Sequence, residues 1–305
     1  MSTIKTLFQK IQSGDMLALA RGITIVENNL DGASELLAAL DPENAPPVVG
    51  ITGPPGAGKS TLINSLITEL TAEGKKVAII AVDPTSPFNF GSLLGDRLRM
   101  SEHFTNPNVF IRSLATRGSL GGLSAKAIEI SDVVRSAGFD LVIIETVGVG
   151  QSEVEIAGIA DTTVLVLVPE SGDEVQALKS GVMEIADIYV VNKSDRPGAN
   201  TFIKNLQALL HHREGTSWIP RVVKTVATKS EGAKELYADI LAHSEEALTN
   251  SRKEFLYTEK AWRLIQQEKM KTIDKELLRK KVGIAISTGK FQLYRFVNKF
   301  ITEKP

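Results

Sequence analysis

Hydrophobic residues along the chain form short apolar runs that alternate with stretches of helical periodicity. Runs such as 77–82 and 141–144 are apolar at every position, which is typical of strands buried on both faces of a parallel sheet. The predicted strands are residues 48–52, 77–82, 109–113, 141–145, 163–168, 188–191 and 222–226. We therefore predict an α/β fold in which a mainly parallel sheet is covered by helices on both faces.

Helical patterns without strands flank this region on both sides. Residues 1–40 contain apolar stripes at helical spacing, which the proline-rich stretch 41–47 interrupts. Near the C-terminus, one long amphipathic helix is predicted from Phe255, Trp262, Ile265, Ile273 and Leu277, and a last helix from Phe291, Tyr294, Val297 and Phe300. The prediction is a helical extension over 1–46, a central domain over 47–240 and a helical C-terminal region over 241–305.

Charge is distributed unevenly along the chain. Residues 251–305 carry 14 Lys and Arg against 6 Asp and Glu, whereas residues 1–250 carry 21 against 30. The basic region is interpreted either as a solvated helix face or as a docking surface for an acidic partner, such as a second subunit. The acidic remainder and the lack of regular aromatic interleaving argue against nucleic acid.

Cysteine is absent, so disulfides and thiolate metal sites are excluded. No apolar run approaches the length of a membrane span, and the first residues lack the apolar core of a secretory signal. These features predict a cytoplasmic protein without a membrane partner.

Residues 53–60 read GPPGAGKS, a complete G-x-x-x-x-G-K-[ST] phosphate-binding loop between a predicted strand and a predicted helix. Such a loop wraps phosphate oxygens with backbone N–H groups, and the following helix N-terminus adds its dipole. Lys59 can reach the β- and γ-phosphates, and the hydroxyl of Ser60 can bind Mg²⁺. The predicted phosphate contacts are Gly53, Pro54, Pro55, Gly56, Ala57, Gly58, Lys59, Ser60 and Thr61.

A second motif, NKSD at residues 192–195, follows the predicted strand 188–191. The carboxylate of Asp195 can accept from N1–H and the 2-amino group of guanine, which adenine does not offer. Lys193 can lie across the purine face, and Asn192 can tie this loop to the phosphate loop. The motif therefore predicts a guanine nucleotide.

A weaker assignment rests on order along the chain. The segment KTVAT at residues 224–228 ends the last predicted strand, and backbone N–H groups around Ala227 could contact the guanine oxygen. Val226, Ala227 and Thr228 are the predicted contacts.

Carboxylates at strand ends and in a glycine-rich loop predict the Mg²⁺ site. Glu145, followed by Gly148, stands where the general plan of G proteins has Asp-x-x-Gly; Glu is one methylene longer but still a hard oxygen ligand. Asp83 closes a predicted strand, and Asp96 lies in the loop that follows it. A salt bridge for Glu145, a turn role for Asp83 and a helix cap for Asp96 are the alternatives.

The chain resembles the MeaB/ArgK GTPases, the chaperones associated with methylmalonyl-CoA mutase, an adenosylcobalamin enzyme. The resemblance is carried by DPTSP at 83–87, GSLLGDRLRM at 91–100, ETVGVGQSE at 145–153, GDEVQ at 172–176 and GVMEIAD at 181–187. It implies a homodimeric GTPase in which Asp83, Asp96 and Glu145 serve Mg²⁺ and hydrolysis. It also implies that residues 170–181 form a switch coupled to the mutase.

The sequence is compatible with three alternative functions. The first is a regulatory GTPase that gates a mutase. The second is an ATP-using kinase and the third a transport-accessory ATPase, both ideas attached to the ArgK name. The guanine motif at 192–195 argues against the second, and the absence of a membrane or transporter-docking feature in the sequence argues against the third.

Overall fold

The structure is a computed structural model. It describes residues 3–41, 45–83, 100–115, 125–146, 155–172, 182–210, 218–247, 250–270, 272–289 and 291–302.

A seven-stranded sheet forms the centre of the fold. Its strands are β1 (Val48–Thr52), β2 (Val77–Asp83), β3 (Val109–Ala115), β4 (Leu141–Thr146), β5 (Thr162–Leu167), β6 (Ile188–Val191) and β7 (Arg221–Lys224). The strand order is β3-β2-β4-β1-β5-β6-β7, and every neighbouring pair is parallel. All seven predicted strands and the parallel arrangement are confirmed, because strands buried on both faces carry continuous apolar runs.

The described helices are α1 (Thr3–Gln12), α2 (Met16–Glu27), α3 (Ala33–Ala38), α4 (Lys59–Ala72), α5 (Ala125–Arg135), α6 (Val182–Ile185), α7 (Ala199–Leu210), α8 (Ala233–Ala247), α9 (Asn250–Met270), α10 (Lys275–Ser287) and α11 (Leu293–Thr302). Alternate residues of the strands pack into different apolar clusters, as the pleat requires. Helices α4 and α8 cover one face. The opposite face is covered by α1–α3 with α5, and by α6 with α7.

The N-terminal helices pack onto the fold as part of its core. Helix α2 begins after Asp15, whose carboxylate accepts hydrogen bonds from the backbone N–H groups of Leu17 and Ala18. Its buried stripe includes Leu19, Ile23 and Val26, and these side chains share a cluster with α5. The predicted helical character of residues 1–40 is confirmed.

The long helix predicted through Ile273 and Leu277 is wrong in its length. Helix α9 ends at Met270 and a separate helix, α10, begins at Lys275. Asp274 caps α10 by accepting from the N–H groups of Glu276 (2.8 Å) and Leu277 (3.1 Å). An Asp with this local bond favours a helix start over a helix interior, although the apolar spacing continues through it.

The chain divides into two compact units, residues 1–257 and 258–305. The predicted domain boundaries at 46 and 240 remain predictions. In the part of the chain that the structure describes, no helix combines the length and apolar character needed to cross a bilayer.

Candidate nucleotide site

The candidate site lies at the carboxyl ends of the parallel strands. Strand β1 is central, between β4 and β5, and leads into the phosphate loop at residues 53–58. Strand β6 leads into residues 192–195, called here the base loop. Ligands of open α/β sheets bind at this edge, so the fold brings both sequence motifs to one place.

Two glycines fix the shape of the phosphate loop. Gly53 has φ +141°, and a Cβ there would lie 2.2 Å from the carbonyl oxygen of Val166. Gly58 has φ +88°, and a Cβ there would lie 2.4 Å from Nδ2 of Asn192. Residues with a side chain therefore fit neither the backbone conformation nor the space, which explains why the motif has glycine at both positions.

Lys59 and Ser60 begin helix α4 and are both buried. Nζ of Lys59 donates to the carbonyl oxygens of Gly53 (2.8 Å) and Pro54 (3.1 Å), so the ammonium lies along the loop that would hold phosphates. Oγ of Ser60 donates to Oε1 of Glu145 at 2.7 Å, and Glu145 is only 7% exposed. Glu145 occupies this position because its strand β4 is paired with β1, with Ile51 opposite Glu145.

Asn192 joins three loops from a position that is 2% exposed. Its Nδ2 donates to the carbonyl oxygen of Ala57 in the phosphate loop at 2.9 Å. Its Oδ1 accepts from the N–H of Ala227 and from Oγ1 of Thr225, both at 3.1 Å. A buried amide with both ends bonded holds the phosphate loop, the base loop and the loop after β7 in one geometry.

Lys193 and Asp195 lie on the exposed side of the base loop. Nζ of Lys193 donates to the carbonyl oxygen of Gly56 at 2.9 Å, and the residue has φ +54°. Oδ2 of Asp195 lies 3.9 Å from Nζ of Lys229, with about half of each side chain exposed. The carboxylate is thus accessible to a base.

The loop after β7 has a defined shape of its own. The N–H of Val226 donates to the carbonyl oxygen of Glu231 at 3.1 Å, and the N–H of Ser194 donates to that of Thr225 at 3.0 Å. The N–H of Ala227 has Asn192 as its acceptor, so a bond from this N–H to guanine would have to share or replace that contact. Thr228 is exposed at the same loop.

Sequence reasoning did not select Thr225, which bonds Asn192 directly, or Lys229 beside Asp195. The available signal was position: Thr225 directly follows β7, and β7 pairs with the strand that precedes Asn192.

A surface ion pair connects the base loop to another segment. Arg196, directly after Asp195, donates to Oε1 of Glu170 in the 3₁₀ turn Pro169–Gly172 that follows β5. Arg196 lowers the pKa of the Glu170 carboxyl, mainly through this hydrogen bond. Glu170 is therefore ionised at neutral pH.

Of the predicted site residues Asp83, Asp96 and Gly148, the structure describes only the backbone of Asp83. Asp83 is the last residue of β2, and the residue before it, Val82, lies opposite Thr146 of β4. Asp96 and Gly148 lie outside the described residues, as do residues 173–181 of the proposed switch. Within the described ranges, no three His, Asp or Glu side chains are grouped closely enough to hold a metal.

Comparison with known proteins agrees with the geometry. A family model described as methylmalonyl Co-A mutase-associated GTPase MeaB matches residues 19–282. A Pyrococcus abyssi protein whose name describes a GTPase is 47% identical over 294 residues, covering 95% of this chain and 89% of its own length. A Mus musculus mitochondrial protein, named as a homolog of methylmalonic aciduria type A, is 35% identical over 288 residues, covering 87% of this chain and 69% of its own length.

Among solved structures, one described as an LAO/AO transport system kinase aligns with a TM-score of 0.72 and 28% identity. The alignment covers 98% of this chain and 97% of that chain.

Proposed function

Because the chain belongs to the MeaB family and is a GTPase, we propose that its GTP hydrolysis serves as a chaperone or gate for an adenosylcobalamin-dependent acyl-CoA mutase. Methylmalonyl-CoA mutase, or a relative of it, is the proposed partner. The family description names this mutase, and the name of the mouse relative refers to methylmalonic aciduria. The family match over residues 19–282 is the observation that supports the mutase as the partner.

Guanine is the proposed base because the base loop contains Asp195 and is hydrogen-bonded to the phosphate loop. The amide of Asn192 bonds both Ala57 of the phosphate loop and Ala227, so it ties the loop that contains Asp195 to the phosphate loop. An acceptor that adenine would leave without its donors discriminates strongly between the two bases.

Mg²⁺ is the proposed metal, and the donors at the head of α4 fit it. The hydroxyl of Ser60 and the carboxylate of Glu145 are hard oxygen donors at 2.7 Å from each other, which is the donor class Mg²⁺ prefers. Asp83 and Asp96 are proposed to contribute from the end of β2 and the loop that follows. When bound, Mg²⁺ would supply positive charge against the triphosphate. Lys59, with its ammonium on the phosphate loop, is proposed to neutralise charge on the transferring phosphoryl group.

ATP-using kinase or transport-accessory activity is the alternative, and the description of the aligned solved structure favours it. The base loop distinguishes the two possibilities, because Asp195 matches the donors of guanine only. Direct titration with GTP and ATP tests this, and equal affinity would support the alternative.

A homodimer is also proposed, held by the helical region over 241–305 beside a nucleotide-binding domain over 47–240 and an N-terminal extension over 1–46. In helix α9, Trp262 is 58% exposed and Ile265 is 54% exposed; in α10, Leu277 is 50% exposed. Exposed large apolar side chains are a feature of interfaces when they form a continuous patch, and we propose that these side chains do. The excess of basic residues in this region would complement the acidic remainder of a second copy.

The decisive experiment measures the GTPase rate with and without purified mutase from the same source. We expect the mutase to raise the rate severalfold. By linkage, a partner that binds one nucleotide state better must also alter the affinity for the nucleotide. Lys59→Ala serves as the inactive control and should lose at least about tenfold in turnover, ~1.4 kcal/mol. An unchanged rate, together with no nucleotide-dependent complex, would contradict the proposed partner while leaving the GTPase itself.

A further inference from the structure

The Glu170–Arg196 ion pair connects two segments that both border the nucleotide site. Arg196 is the residue after Asp195, the proposed guanine reader, and its N–H donates to the carbonyl oxygen of Lys193 at 3.0 Å. Glu170 lies in the turn Pro169–Gly172, at the start of the proposed switch over residues 170–181. Their side chains are hydrogen-bonded.

This pair acts at a different place from the other contacts of the base loop. Asn192 and Lys193 bond the phosphate loop at Ala57 and Gly56, and Ser194 bonds the loop after β7. Those contacts fix the base loop on two sides. The ion pair connects the base loop to a third segment, the one that follows β5.

The backbone of Arg196 is held by hydrogen bonds on both sides. The N–H of Ala199 donates to the carbonyl oxygen of Arg196 at 3.3 Å, and helix α7 starts at that residue. Arg196 therefore stands in a bonded turn between the base loop and a helix, and its guanidinium can transmit the position of Glu170 to Asp195.

We propose that Arg196 is a positioning residue that, through Glu170, couples the segment after β5 to the guanine-reading loop and so sets how long a guanine nucleotide stays bound. The inference rests on guanine binding at residues 192–195, as proposed above. A base loop held in its binding conformation binds more tightly than one that must be ordered on binding. Any movement of the segment after β5 would then change the position of Asp195.

The size of the effect follows from exposure. The side chain of Glu170 is 50% exposed and that of Arg196 is 48% exposed, so the pair is well solvated. Solvated pairs contribute little, and we expect about a two- to fivefold change in nucleotide binding. The effect should fall with added salt, because exposed charges are screened.

The test measures release of a fluorescent GDP analogue from the purified full-length chain. The variants are Glu170→Gln, Arg196→Gln and the double variant. Lys75→Gln is the matched control, because Lys75 forms an ion pair with Asp140 at 3.6 Å with similar exposure, before β2 at the opposite edge of the sheet. Single-turnover hydrolysis of bound GTP and the ratio of GDP to IDP affinity are measured in parallel, since IDP lacks the 2-amino group that Asp195 would read.

Each single variant should release GDP about two- to fivefold faster, and the double variant no faster than either. GDP-over-IDP selectivity should fall in the same variants, the single-turnover rate should stay unchanged, and Lys75→Gln should behave as wild type. Unchanged release in the single variants, or additive effects in the double variant, would overturn the inference. A wild-type chain that binds no GDP would instead overturn the proposed guanine site, so the two failures are distinguishable.

Discussion

The base loop and the C-terminal helices differ in where their side chains find their contacts. Asn192 in the base loop is buried, and both ends of its amide are bonded within the chain. Helices α10 and α11 contain no buried residue among those described, and Tyr294 and Ile301 are largely exposed. The base loop is therefore held by contacts within the chain, whereas α10 and α11 have large apolar side chains that are exposed.

The largest effect is expected at the base loop, where one change should exchange the nucleotide. Asp195→Asn should weaken GTP binding by roughly 100-fold or more, because the amide no longer accepts from both donors of guanine. It should strengthen binding of XTP, since the amide can donate to the extra carbonyl of xanthine. Titration of the wild type and of Asp195→Asn with GTP and XTP measures this, and GTP affinity of the variant within a few-fold of wild type would contradict the assignment of Asp195.

The next effect tests the C-terminal helices. Trp262→Asp should shift the proposed homodimer toward monomer by about 2 kcal/mol or more, because the proposed interface would bury the indole ring and the variant would place a charge there instead. Leu17→Asp is the control: Leu17 is 84% exposed on α2, outside the proposed interface, and should leave the oligomer unchanged. Light scattering at micromolar concentration measures both, and a monomeric wild-type chain would refute the interface.

A pair of glycines offers a direct comparison of the two regions. Gly58→Ala should lower the free energy of unfolding by about 1–2 kcal/mol, because φ is +88° and the Cβ would meet Asn192. Gly283→Ala in α10 should raise the free energy of unfolding by about 0.5–1 kcal/mol, because a Cβ there meets nothing within 4 Å and Ala favours a helix.

Denaturant titration reports both changes, and GDP titration shows whether Gly58→Ala also weakens binding, as the contact with Asn192 requires. A Gly58→Ala variant as stable as the wild type, or more stable, would mean that the phosphate loop is not constrained at this position.

The strands and both nucleotide motifs could be predicted from the sequence because their signals are local. Continuous apolar runs mark buried parallel strands, and Lys59 and Asp195 lie in motifs of a few residues. The end of α9 was missed because apolar spacing continues past Met270, whereas the bonds accepted by Asp274 start a separate helix. The Glu170–Arg196 pair could not be foreseen, since its residues meet only after β5 and β6 pair.

The smallest expected effect concerns the pH dependence of that pair. Arg196 lowers the pKa of Glu170 below its ordinary value of 4.5, so any stabilisation from the pair is present above that value and is lost as the pH falls through the lowered pKa. The ratio of GDP affinities between wild type and Arg196→Gln should therefore stay constant from about pH 8 to about pH 5. Fluorescent GDP titration over this range measures the ratio, with Lys75→Gln as the control that should stay at unity. A ratio that changes between about pH 6 and pH 7 would indicate a titrating histidine instead, and would contradict the role given to Glu170.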